Sequence, residues 1–408
     1  MRAVSARPPT FPRPTRARLT GVVVAVTVTA ALGVLAACGS SGKTSDSGKD
    51  AAATSGTSAA PSKVPSNTPA PQRNIYSAAG KNMLSPAVKG QRNLVYVPNH
   101  SGGTVSVIDP TTYKVIDTYA TAPGSQHVVP SYDLKTLWVN NDEGGNSLTP
   151  IDPYTGKRRG PNVPVQDPYN MYFTPDGKSA IVVAEAEQRL DFRDPQTMAL
   201  QSSTHVDCKG INHADFSADL SYAIFTCEFS GKLVKINMQT KQVMGYLTLN
   251  PDGMPQDIRL DPEGRYFWVA DMMANGVYIV DGNTMTKVGF LPTGPEAHGI
   301  YPSRDGKYLY VSDRGGSAKH GAVSVIDPVA RKVVAQWVIP GGGTPDMGGV
   351  TADGKQLWLS GRRDNVVYVF DTTTGKVTHI IPVGLEPHGL AVWPQPGRFS
   401  LGHTGNMR

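Results

Sequence analysis

The sequence predicts an all-β fold: a seven-bladed β-propeller of four-stranded antiparallel blades. Three observations predict it. An Asp or Asn ends an apolar run at Asp109, Asp152, Asp194, Asn237, Asp281, Asp327 and Asp371, a period of 42 to 46 residues. A second column repeats a strand and its turn: PSYDLKTLWV, FTPDGKSAIV, FSADLSYAIF, LDPEGRYFWV, PSRDGKYLYV and VTADGKQLWL, with WPQPGRFSL as a degenerate seventh. The composition, with 43 Gly, 33 Pro and only 18% charged residues, suits a turn-rich β protein better than a helical one.

One period shows the unit. From His298 to Val338 the runs GIYP, KYLYVS, AVSVID and KVVAQWV alternate β-branched and aromatic residues. The turns SRDG, DRGGSAKHG and DPVAR separate them. A sheet of four such strands is too small to bury its own faces, so the repeats must pack on one another. The simplest ring closure pairs the last inner strand, HGLAVWP, with the N-terminal blade and leaves no free sheet edge. LSPAVKG (84–90) competes for that place.

Ahead of the repeats lie two segments of different character. Residues 1–19 are basic and Pro-rich, and residues 20–34, TGVVVAVTVTAALGV, are apolar and uncharged. That run has the length of a signal-peptide core and is short for a membrane span. It ends in Leu35-Ala36-Ala37-Cys38-Gly39, which resembles a bacterial lipobox. The resemblance implies cleavage before Cys38, a lipid on Cys38 and a membrane anchor on the extracytoplasmic face of the cell membrane; an ordinary signal peptide is the competing reading. Residues 38–74 are nearly free of large apolar side chains and are expected to form a flexible Ser/Gly/Pro/Ala-rich tether. The domain reading is therefore signal peptide 1–37, lipidated tether 38–74 and propeller 75–408.

The formal charge of +6 belongs to the leader. Residues 1–37 hold five Arg and no acid, and the remainder carries 34 basic against 33 acidic residues. The charge therefore gives no warrant for nucleic-acid binding.

The segments VYVPN, LWVNN, WVAD and YVSD, the P-[DE]-G-[KR] turns and the recurring x-H-G resemble the YVTN-type β-propeller repeat family over roughly residues 84–398. That resemblance implies the fold. It extends to surface-layer and binding proteins and, distantly, to the haem d1 propeller of nitrite reductase, so it does not choose a function.

In a propeller the inner strands start at the mouth of the central channel. Those starts carry His127, His213, Gln256, His298, Asp346, Met347 and His388, beside Gln126, Tyr169, Asn170, Asn212 and Asp257. Four of them, His127, His213, His298 and His388, are candidate metal ligands for copper, iron or zinc, or for a haem-like cofactor. A polar lining that bonds water and backbone is the competing reading. The second-strand ends form a mixed-charge rim: Asp142, Glu185, Glu228, Asp271, Asp313, Arg314 and Arg362. Cys208 and Cys227 are placed on one face of one blade, which predicts a disulfide outside the cytoplasm. A Cys208–His213–Cys227 metal site and two free thiols are the alternatives.

No G-x-S-x-G, Walker A, H-E-x-x-H or C-x-x-C-H motif occurs. The functional reading is a membrane-anchored lipoprotein whose channel-mouth face binds a small molecule or a protein, with no catalytic residue named. The alternative is a metal- or cofactor-dependent enzyme, an oxidoreductase or lactonase-like, that uses the His ring.

Overall fold

The computed structural model describes residues 74–408. The expected signal peptide, the expected lipidation site Cys38 and residues 39–73 of the expected tether lie outside the described residues. No described helix is long and apolar enough to cross a membrane.

Seven antiparallel sheets make the ring, each running from an inner to an outer strand. The inner strands of blades 2 to 7 are Ser125–Pro130, Pro168–Phe173, Ile211–Phe216, Pro255–Leu260, Ala297–Pro302 and Pro345–Val350. They are buried almost throughout, whereas outer strands such as Lys332–Val338 are largely exposed. In blade 2 the outer strand is split into Lys157–Arg158 and Val163–Pro164.

Blade 1 closes the ring. Ala391–Trp393 pairs with Leu94–Asn99 in the register Leu94 to Trp393 and Tyr96 to Ala391. LSPAVKG does not fill that slot: Pro86–Val88 is a single 3-10 turn capped by the Ser85 hydroxyl. Proline at the first helical position has a pre-set φ and no N–H to leave unpaired, which favours the turn. The degenerate WPQPGRFSL does not form the expected hairpin either. Beyond Trp393 the chain leaves the blade and runs along the inner strands, where the Phe173 N–H donates to the Leu401 carbonyl and the His403 N–H to the Met171 carbonyl.

The repeated Asp/Asn column builds turns in all seven blades. In each, a side-chain oxygen accepts the backbone N–H two residues on, at 2.8 to 3.0 Å. The core lies between blades. Trp268, Trp358 and Trp393 are fully buried there, each among Val, Leu and Ile from neighbouring strands. Complete burial of such side chains contributes about 2 to 3 kcal/mol each.

Candidate functional site at the channel mouth

The inner strands are not regular at their starts. In blades 4, 5, 6 and 7 two residues face one on the second strand: Asn212-His213, Gln256-Asp257, His298-Gly299 and Asp346-Met347. Blades 2 and 3 insert one residue each, Gln126 and Tyr169. A bulge frees a backbone N–H from the ladder and re-aims the adjacent side chains. Here second-strand hydroxyls take up three of the freed donors. Thr226, Ser312 and Ser360 accept from His213, Gly299 and Met347 at 3.1, 2.8 and 3.2 Å.

The bulges bring the predicted histidines together. His127, His213, His298 and His388 are all at least 97% buried. Their ring centroids lie 5.4 Å apart for His127–His213, 4.8 Å for His127–His388 and 5.7 Å for His298–His388. Asp346 sits among them, with Oδ1 2.9 Å from His298 Nδ1 and Oδ2 2.7 Å from His388 Nδ1. Arg314 Nε is 3.6 Å from the same carboxylate.

The sequence reading missed a fifth member. His403, on the tail, lies 4.9 Å from the His213 ring and 5.2 Å from His127. Asn170 donates to Nδ1 of both His213 and His403, at 3.1 and 2.9 Å. Nothing periodic marks His403; only the isolated Gly-His-Thr-Gly of the tail hints at a constrained position.

The rim divides. Asp142 is buried against Asp167, Glu185 is mostly buried beside them, and Glu228 accepts from the Asn212 amide at 2.9 Å. These acids form an arc over blades 2 to 4; Arg314 and Arg362 face it from blades 6 and 7. Two expected rim acids serve the scaffold instead. Asp271 accepts three backbone N–H groups at 3.0 Å, and Asp313 accepts Thr293 and Ser324 hydroxyls at 2.8 and 2.6 Å. A carboxylate at a strand end satisfies the nearby loop before it reaches solvent. Met347 is fully buried, and Gln256 nearly so. Cys208 and Cys227 are joined as a disulfide, so the Cys208–His213–Cys227 metal site does not form.

Residues 76–396 match the YncE-like β-propeller family. The chain belongs to that family.

Among relatives of this YncE-like propeller, an uncharacterized protein YncE of Salmonella typhi is 23% identical over 327 residues, 72% of this chain and 86% of that one. Antigen Lp49 of Leptospira interrogans is 29% identical over 166 residues, 35% of this chain and 34% of that one. The solved structure of the dihydro-heme d1 dehydrogenase NirN in complex with DHE shares the fold at a TM-score of 0.56 and 15% identity, covering 79% of this chain and 82% of that one.

Electrostatics in the YncE-like channel follow from burial. Burial pulls the His127 imidazole down to about 3 and holds His213, His388 and His403 well below the ordinary range. These rings are therefore neutral at neutral pH; His127 and His388 keep a free lone pair, whereas those of His213 and His403 accept from Asn170. Burial would raise Asp346, yet Arg314, His298 and His388 hold its carboxyl well below the usual range. Burial first, then Glu228, Asp142, Asp167 and Glu143, pushes Glu185 up to about 9. Tyr169 stands between the arcs: burial and the nearby acids raise its phenol, and Arg362 opposes them. Further along the inner strands the floor is charged and paired, with Arg259 3.2 Å from Asp257 and Arg408 2.6 Å from Asp215.

Proposed function

We propose that this YncE-like propeller is an extracytoplasmic lipoprotein, anchored through Cys38, that binds a small polar ligand at its channel mouth. The observation that carries the reading is a set of buried polar atoms with no hydrogen-bond partner in the protein. They are Gln126 Oε1, Gln256 Nε2 and Glu185 Oε1. Each such atom costs about 1 to 3 kcal/mol if nothing bonds it. They lie at the mouth, between an acidic arc of Asp142, Glu185 and Glu228 and a basic arc of Arg314 and Arg362. With the Glu185 carboxyl protonated at neutral pH, that lining suits a ligand that brings an anionic group to the guanidinium side and hydrogen-bonding hydroxyl or amide groups to the acid side, or the corresponding side chains of a protein partner. The leader, LAAC and the tether support the anchor. A second reading, a metal- or cofactor-dependent enzyme, is favoured by the histidine cluster.

Thermal melting against a panel of zwitterionic, anionic and cationic small molecules tests the binding reading. At least one anion or zwitterion should raise the melting temperature of the wild type, and R362A and E185A should both weaken that effect. A panel with no shift at all would sink it.

A further inference from the structure

We propose that His127, His213 and His403 together hold one divalent first-row transition-metal ion on the propeller axis, with His388 next in place for a fourth position. The inference goes beyond ligand binding at the mouth and does not depend on it.

Geometry carries the proposal. One ring nitrogen from each of the three residues lies within 4.8 Å of the other two, and all three side chains are fully buried. Metal coordination at about 2.0 to 2.1 Å from each nitrogen needs them to close further, by small ring rotations. Five of the nine histidines in the chain share this buried region. Three of them keep Nε2 without a hydrogen-bond partner, His127, His388 and His403, with Asp257 Oδ1 3.8 Å from that of His403. Buried polar atoms in native proteins are almost always bonded, so three orphaned imidazole nitrogens at one place need an explanation.

The surroundings orient the rings as a metal site does. His127 Nδ1 is 3.0 Å from the Tyr169 carbonyl, which fixes Nδ1–H and leaves the Nε2 lone pair free. His388 donates Nδ1–H to Asp346, a carboxylate–imidazole pair that leaves its Nε2 free in the same way. The Asn170 amide now occupies the Nδ1 lone pairs of His213 and His403, so an entering ion competes with that amide. Three neutral imidazoles with no thiolate choose zinc, copper, nickel or ferrous iron over calcium or magnesium.

The ligand set also explains the tail. His403 comes from outside the repeats, and the chain beyond Trp393 crosses the channel to deliver it. A metal would then bridge blade 2, blade 4 and the C-terminal segment.

The test uses the full-length chain, purified in detergent without an affinity tag and stripped with chelator. Zinc added alone, followed by desalting and elemental analysis, should leave one equivalent per chain and raise the melting temperature by several degrees. The triple variant H127Q/H213Q/H403Q should lose that equivalent, whereas H205Q/H320Q, at exposed histidines, should keep it. Should the triple variant fail to fold, ring-nitrogen NMR of the wild type replaces it: the rings of His127, His213 and His403 should shift with zinc while those of His205 and His320 stay still. No retained equivalent of zinc, cobalt or copper, or uptake that H205Q/H320Q abolishes, or shifts confined to exposed rings, would each overturn the assignment.

Discussion

His388 Nδ1 lies 2.7 Å from Asp346 Oδ2, a bond between the segment that closes blade 1 and the inner strand of blade 7. The other oxygen of Asp346 faces His298 of blade 6 at 2.9 Å. One buried carboxylate thus ties three successive blades across the place where the ring is joined. D346N keeps the volume but removes the charge that compensates Arg314. The expected cost is about 3 kcal/mol, the usual penalty for stripping one partner from a buried ionic cluster. Urea unfolding of the two proteins measures it; a midpoint unchanged within error would show that the cluster does not hold the seam.

Glu185 gives the protein a pH dependence opposite to that of an ordinary surface acid. Burial, Glu228, Asp142, Asp167 and Glu143 raise its folded-state value to about 9, from 4.5 when solvated. Below the solvated value both states are protonated and the contribution to stability is complete. Between the two values the unfolded chain ionises and the folded one does not, so stability falls as pH rises. E185Q removes this titration. Denaturation midpoints at about pH 5 and about pH 9 should therefore drop less in E185Q than in the wild type. Equal drops would place the Glu185 carboxyl in water.

The Cys208–Cys227 bridge pins the loop before the inner strand of blade 4 to the end of the next strand, across a sequence separation of 19. Closing so short a loop stabilises by roughly 3 kcal/mol at most. Alkylation of unfolded protein without reductant should leave both residues unmodified by intact mass. C208S/C227S should melt lower yet remain folded, because the blade keeps its ladders and its packing.

For the leader, the expectation is that C38A changes partitioning. Wild-type protein expressed in a bacterium with lipoprotein processing should sediment with membranes, and C38A should shift to the soluble fraction or accumulate unprocessed. A C38A protein that still sediments completely would remove the lipid anchor from the proposed function.

The repeat was legible because each blade spells its own turns: the Asp/Asn column and the strand–turn segments from PSYDLKTLWV to VTADGKQLWL are local chemistry, repeated seven and six times over. The approach of His127, His213, His298 and His388 was legible because equivalent positions in a ring must converge. Three things were not. His403 lies in an aperiodic tail, and only the tertiary path of that tail brings it to the axis. Asp271 and Asp313 end strands like true rim residues, but neighbouring N–H and hydroxyl groups capture them. The floor pairs, Arg259 with Asp257 and Arg408 with Asp215, pass for ordinary strand or terminal charges until the fold buries them.

The pairing of Leu94 with Trp393 has a temporal consequence. The strand that starts the ring is made first, and its permanent neighbour only after the other six blades. Until then blade 1 carries an unpaired backbone edge, open to any extended segment nearby. Six blades can be complete while the molecule is still an open arc with two adhesive ends. A ribosome that stalls late, or a protease that trims the last two dozen residues, would leave a nearly whole protein without its fastening.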